Sequence, residues 1–196
     1  KWGVADKDNW IDKGIVTQTH CDSLEGIWEK IPEPSQITIS NVAGSLAEQS
    51  LMLIFKQLYW TTKVNWVFSK SDQCGVKNYY DIPSQLGSDR WAALIAAWKM
   101  KQQACLVVCV GTTMTVDILS KQGELNGFDL MQSTLINQTA LLTDSSKGCF
   151  QEVPRNTQDA MVSGAIYGLT GAIEQMYSIF TNTLRHSSPK CIISGK

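Results

Sequence analysis

The 196-residue sequence lacks most of the features that would assign it quickly. No apolar segment approaches the roughly 18 residues of a membrane-spanning helix, and no secretory signal opens the chain. Charged residues make up only 18%, and the net charge of −1 provides no basic field for nucleic acid and no polybasic segment for a lipid surface. Histidine occurs only as His20 and His186, both in polar contexts that offer no Ser-His-Asp or Cys-His arrangement. The cysteines at 21, 74, 105, 109, 149 and 191 form no CxxC pair of the kind structural zinc uses. Cys105 and Cys109 lie inside an apolar run, where a thiol behaves as a small hydrophobe. A reducing, cytoplasmic compartment is expected, with neither nucleic acid nor membrane as partner. Low-complexity tracts are also missing. The chain starts with KWGVAD and stops at KCIISGK, both apolar and strand-like, as expected of a fragment or of a sequence missing some residues.

What is present is an ordinary globular composition, 43% hydrophobic, arranged as alternating strand-like and helical stretches. Residues 2–4 and 15–19 are expected as short strands, 23–31 as a helix capped by Ser23 and stopped by Pro32 and Pro34, and 37–42 as a strand. Apolar residues at 46, 47, 51, 54, 55 and 58 repeat with helical spacing, and 64–68 returns as a strand. This alternation is an α/β pattern with at least partly parallel pairing. Residues 68–90 are polar, carry Gly75, Pro83 and Gly87, and are expected as a loop. Ser88 is placed to cap a helix whose apolar face is Trp91, Leu94, Ile95 and Trp98. Residues 104–110 and 115–119 predict two strands of a hairpin joined by Gly111-Thr112-Thr113. A helix over 130–142, a loop over 143–154, a long small-residue-rich helix over 156–180 and a last strand over 190–194 follow. The composition shift at Gln102-Gln103 is the expected domain boundary, dividing the chain into 1–103 and 104–196.

Three groups of residues carry candidate chemistry. The turn from Gly111 to Thr115 offers open backbone N–H groups and hydroxyls suited to phosphate, although similar turns also join ordinary hairpins. Asp117, two residues beyond Thr115 on the same strand face, is either a solvated strand residue or a cation ligand. Asp89 and Arg90 share a first helical turn, where an acid is at least a favourable dipole partner. In the sharper alternative Asp89 accepts a proton from a bound hydroxyl and Arg90 grips a carboxylate. Asn78, Tyr79 and Tyr80 are either donors to a small polar ligand or loop packing.

The run GVKNYYDIPSQLGSDRWAALIAAW resembles the type III pantothenate kinases, also described as Bvg accessory factor-like proteins. ISNVAG at 39–44, GTTMTVD at 111–117 and PRNTQDAMVSGA at 154–165 follow in that family's order. The resemblance implies a fold of two ribonuclease H-like domains with mixed sheets flanked by helices, within the actin-like ATPase superfold, acting as a homodimer. It implies phosphorylation of the pantothenate hydroxyl by ATP, the first step of coenzyme A biosynthesis, with Mg²⁺ and a monovalent cation, K⁺ or NH4⁺. By the same resemblance Asp89 is the general base and Arg90 a pantothenate ligand. Tyr80, Gly87, Ser88 and Thr157 are further pantothenate contacts, Gly111, Thr112, Thr113 and Thr115 form a phosphate loop, and Asp117 holds the monovalent cation. The family's Asp-x-Gly-Asn-Thr loop, its Gly-Gly-x-Ile-x-Pro-Gly segment after Gly123 and its complete Thr-Gly-Gly motif do not occur in this sequence. A catalytically inactive or truncated relative that serves as a binding or regulatory protein therefore stands as the alternative. A kinase of the same superfold with another acceptor is a further one.

Overall fold

The computed structural model describes residues 1–7, 9–110, 114–131, 148–183 and 189–195. The chain folds as two units, Lys1–Phe68 and Ser69–Lys196. In the first, Trp2–Asp6 (β1) and Asn9–Gly14 (β2) form an antiparallel pair, while Ile37–Ile39 (β3) and Val64–Trp66 (β4) pair in parallel across the helix Ser45–Gln57 (α2). The strand expected over 15–19 is instead an irregular stretch ending in a 3-10 turn, Gln18–His20. The hydroxyls of Thr17 and Thr19 contact His20 Nδ1 at 2.8 and 3.1 Å, local bonds that compete with a ladder. The helix Ser23–Trp28 (α1) starts without the expected Ser23 cap, because the Ser23 hydroxyl donates backwards to the His20 carbonyl at 2.7 Å.

Aromatic residues build this unit's interior. Trp28 stacks on Phe55 and Trp60 with centroids 5.7 and 6.1 Å apart, and Trp2 meets Trp28 edge-on at 6.3 Å. A cavity of about 550 Å³ opens beside this cluster, lined on one side by Trp2 and Val4 and on another by Ile37 and Ile39. Glu33 pins the segment before β4: its Oε1 accepts the backbone N–H groups of Thr61 and Thr62 at 2.5 and 2.7 Å. The Thr62 hydroxyl, followed by these N–H groups, holds the Glu33 carboxyl below its ordinary pKa.

The second unit is built on one mixed sheet. It comprises Asp72–Gln73 (β5), Val76–Asn78 (β6), Cys105–Val110 (β7), Met114–Leu119 (β8), Glu124–Met131 (β9) and Lys190–Gly195 (β10), in the spatial order β10-β7-β8-β9-β6-β5. β7, β8 and β9 run antiparallel in succession, β10 lies parallel to β7, and β6 lies parallel to β9. The expected loop over 68–90 thus contains two short strands. Cys74 and Gly75, with φ of 54° and 80°, make a two-residue turn with both central residues left-handed, a geometry that matches strand twist. The backbone is equally constrained at Gly123, where φ is 78° and a Cβ would lie 2.2 Å from the Gly75 carbonyl oxygen.

Alternation along β7 and β8 sends their two sets of side chains to opposite faces. Leu106, Val108, Met114, Val116 and Ile118 form a core with Met176 and Phe180 of the long helix Thr157–Thr183 (α4). Val107, Cys109, Thr115 and Asp117 occupy the other face, toward the helix Ser88–Lys101 (α3). Burial of Trp91, Leu94 and Ala97 fixes that helix, with Ile95 and Trp98 only half-buried. The Gln102-Gln103 composition shift coincides with the left-handed residue that ends α3 (Gln102, φ 46°), inside the second unit. Of the helix expected over 130–142, residues 130 and 131 belong to β9 and the rest lies outside the described residues.

Candidate active site

A charged residue in the middle of a wholly buried strand needs a partner, because an isolated charge away from water is very costly. Asp117 is such a residue: every position of β8 is buried and Asp117 is 0% exposed. Its partner comes from the first turn of α3. Arg90 Nε donates to Asp117 Oδ2 at 3.2 Å and Arg90 Nη2 to Oδ1 at 2.5 Å, a bidentate pair. The Tyr80 ring lies beneath the guanidinium, its centroid 6.0 Å from Cζ.

Burial opposes the Arg90 charge more than any other single influence. The hydrogen bond and attraction to Asp117, with a smaller share from Tyr80, nevertheless hold its pKa above the ordinary guanidinium value. At Asp117 the balance differs: burial raises the carboxyl above its usual range, and Arg90 and then Thr115 offset only part of that rise. Burial likewise pushes up the Cys109 thiol, with Asp117 and then Asp89 adding to it. Asp89 is therefore close to both groups. It is exposed, and its Oδ1 accepts the Arg90 backbone N–H at 2.8 Å.

The sequence-expected residues fall into three sets. Tyr80, Asp89, Arg90, Thr115 and Asp117 come together where α3 meets β8. Gly87 is the N-cap residue of α3, and Ser88 is its buried first residue rather than its cap. Thr157 is the exposed first residue of α4, and the described contacts do not join it to the others. Gly111, Thr112 and Thr113 lie outside the described residues, as does His186. Asn78 is part of the loop's packing: its Nδ2 donates to the Pro83 carbonyl at 3.1 Å and its Oδ1 accepts the Tyr80 N–H at 3.1 Å. Tyr79 donates to Glu124 Oε1 at 3.1 Å. Sequence reasoning did not anticipate the Arg90–Asp117 pair. The available signal was a lone acid in an otherwise apolar strand.

Fold and site together define a mixed α/β protein with a buried arginine–carboxylate pair beside an exposed acid at a helix start. The sequence profile of the type III pantothenate kinases matches residues 1–179. A type III pantothenate kinase from Nitrosospira multiformis is 45% identical over 201 residues, covering 100% of this chain and 75% of that protein. One from Nitrosomonas eutropha is 42% identical over 189 residues, 93% of this chain and 73% of its own length. A crystal structure of a conserved Baf-family protein from Campylobacter jejuni superposes with a TM-score of 0.52 at 17% identity, over 89% of this chain and 72% of that one. The protein is therefore a kinase, and it belongs to the type III pantothenate kinase family.

Proposed function

We propose that this chain transfers the γ-phosphoryl of ATP to the hydroxyl of pantothenate, the first step of coenzyme A biosynthesis. The observation that carries this reading is the start of α3, where exposed Asp89 stands beside an arginine held rigidly by Asp117. Phosphoryl transfer asks mainly for positioning and charge neutralisation. Asp89 would take the proton of the attacking hydroxyl, its side chain being exposed at the start of α3. Arg90 would bind the pantothenate carboxylate, with Tyr80, Gly87, Ser88 and Thr157 as further acceptor contacts. Gly111, Thr112, Thr113 and Thr115 would address the phosphates of ATP. Thr115 fits this role in one respect: its side chain is buried on the strand face it shares with Asp117.

Mg²⁺ and a monovalent cation, K⁺ or NH4⁺, belong to the proposal as ions that neutralise phosphate charge when bound. Asp117 does not fit the cation role expected of it, because both carboxylate oxygens accept from a guanidinium whose positive charge would repel a second cation. Among the described residues no group of three or more His, Cys, Asp or Glu side chains could hold a metal ion.

The order β9-β8-β7-β10, three antiparallel strands and then a parallel one, supports a ribonuclease H-like second half beginning at 104. A matching half over 1–103, an actin-like arrangement of the two, a homodimeric state and a cytoplasmic location complete the proposal. No helix among the described residues is long and apolar enough to cross a membrane. A coupled assay of ADP release tests the function. Release that depends on pantothenate and rises with K⁺ is expected, and equal release with and without pantothenate would reject it in favour of a binding or regulatory role.

A further inference from the structure

Asparagine is depleted in strands, and a buried one needs partners for its amide that water no longer supplies. Asn78, the last residue of β6, is 5% exposed. Its backbone is held in the sheet: the Asn78 N–H donates to the Ser71 carbonyl at 2.9 Å, and the residue pairs with Leu125 of β9. Its side chain spans the loop that follows. Oδ1 accepts the Tyr80 N–H at 3.1 Å, and Nδ2 donates to the Pro83 carbonyl at 3.1 Å. We propose that Asn78 is a positioning residue for the acceptor site, an amide clamp that fixes the loop from Tyr79 to Pro83 and with it the place of Tyr80 beside Arg90.

The clamp needs one group that accepts at one end of the loop and donates at the other, which a primary amide does. An aspartate offers acceptors alone, and a leucine of similar volume offers neither. The rest of the loop is stiffened locally. Pro83 keeps Ile82 extended, with φ of −123° and ψ of 98°. The Pro83 carbonyl also accepts the Leu86 N–H at 3.2 Å, and the Ser69 hydroxyl donates to the Leu86 carbonyl at 2.7 Å. Gly87 and the first turn of α3 follow directly. The Tyr80 backbone is thus fixed where its ring centroid lies 6.0 Å from Arg90 Cζ, while neighbouring Tyr79 is tied to Glu124 Oε1 at 3.1 Å. A loop already held in its binding conformation removes the entropy cost of ordering it, whereas a loop that is competent only part of the time weakens apparent affinity by that fraction. This role rests on the pantothenate kinase reading above, in which Tyr80 contacts the acceptor.

The test compares wild type with Asn78→Leu in the full chain. Pantothenate KM should rise roughly tenfold, as for a loop competent about a tenth of the time, while kcat at saturating pantothenate and ATP KM stay within about twofold. Asn78→Asp keeps the volume and the acceptor for the Tyr80 N–H but loses the donor to Pro83; it should show the same split and carries the test if Asn78→Leu does not fold. Because Asn78 acts through Tyr80, the double variant Asn78→Leu/Tyr80→Leu should have a pantothenate KM no higher than Tyr80→Leu alone. Additive losses, an unchanged pantothenate KM, or an equal rise in both KM values would overturn the proposal. Hydrogen exchange supplies a readout independent of turnover: the Tyr80 N–H should exchange slowly in the wild type and at least about tenfold faster in Asn78→Leu, since opening follows the loss of its acceptor. Exchange of that amide at the rate of a solvent-open group in the wild type would also overturn the clamp. A wild type that holds the Tyr80 amide but does not phosphorylate pantothenate would instead sink the functional reading itself.

Discussion

Asp89 combines exposure with a fixed place, since its Oδ1 accepts the Arg90 N–H at 2.8 Å in the first turn of α3. Replacing it by Asn keeps the shape and removes the base. Asp89→Asn should lower kcat by roughly 10²–10⁴-fold with pantothenate binding nearly unchanged, measured by steady-state kinetics and calorimetry. Turnover at the wild-type rate would remove Asp89 from the base role. Cys105 makes a separate prediction. Burial, with a smaller effect from nearby Cys191, pushes its thiol from 9.0 up to about 11. The folded state therefore holds this proton more tightly than the unfolded state. The resulting stabilisation is complete below pH 9 and is lost as the pH rises through 11. Denaturation of wild type and Cys105→Ala between pH 8 and about 11 should show a steeper alkaline decline in the wild type. Parallel curves would contradict the assignment. Of these residue-scale facts, Asp89 and Arg90 were legible from their place at a helix start. The Arg90–Asp117 pair was not, because 27 positions separate its members and no local pattern encodes which strand a helix covers.

Among the elements, α4 owes its start to reciprocal bonding that the sequence displays as Asn156-x-x-Asp159. The Asn156 side chain accepts the Asp159 N–H at 2.9 Å, and the Asp159 carboxylate accepts the Asn156 side-chain amide at 2.7 Å and the Cys149 N–H at 2.8 Å. Asn156→Ala should cost about 1 kcal/mol, read from the denaturation midpoint. The hinge between β8 and β9 is less tolerant. Gly123 combines a φ of 78° with the Gly75 carbonyl where a Cβ would stand. Gly123→Ala should destabilise the second unit by about 1–3 kcal/mol, the range of backbone strain, and a neutral effect would mean the turn relaxes. The hairpin β7–β8 was readable because its apolar runs and intervening glycine are local. β5 and β6 were missed because strands of two and three mostly polar residues carry no periodicity. Their turn also uses Cys74-Gly75 where the common signal is Asn-Gly.

At the scale of the whole molecule each unit has its own interior, aromatic in Lys1–Phe68 and, in Ser69–Lys196, built on both faces of the sheet, with Trp91 and Leu94 buried on the α3 side and an aliphatic cluster between the sheet and α4. Phe180, 0% exposed, anchors the second, and Phe180→Ala should cost about 3–5 kcal/mol through the cavity it leaves. Hydrogen exchange should locate the loss in 69–195 and leave 1–67 protected, whereas Trp28→Ala should do the reverse. Uniform loss in both would contradict separate cores. The α/β class, the helix that carries Asp89 and Arg90, the β7–β8 hairpin and the resemblance to one kinase family were all legible along the chain. Each of these depends on spacing within a few turns of chain, where periodicity, caps and motif residues act directly. That β10 lies beside β7, and that a charged residue in an apolar strand is answered by Arg90, emerged only from the three-dimensional fold. Those outcomes depend on which faces are buried against each other, and burial decides where an isolated charge must find its partner.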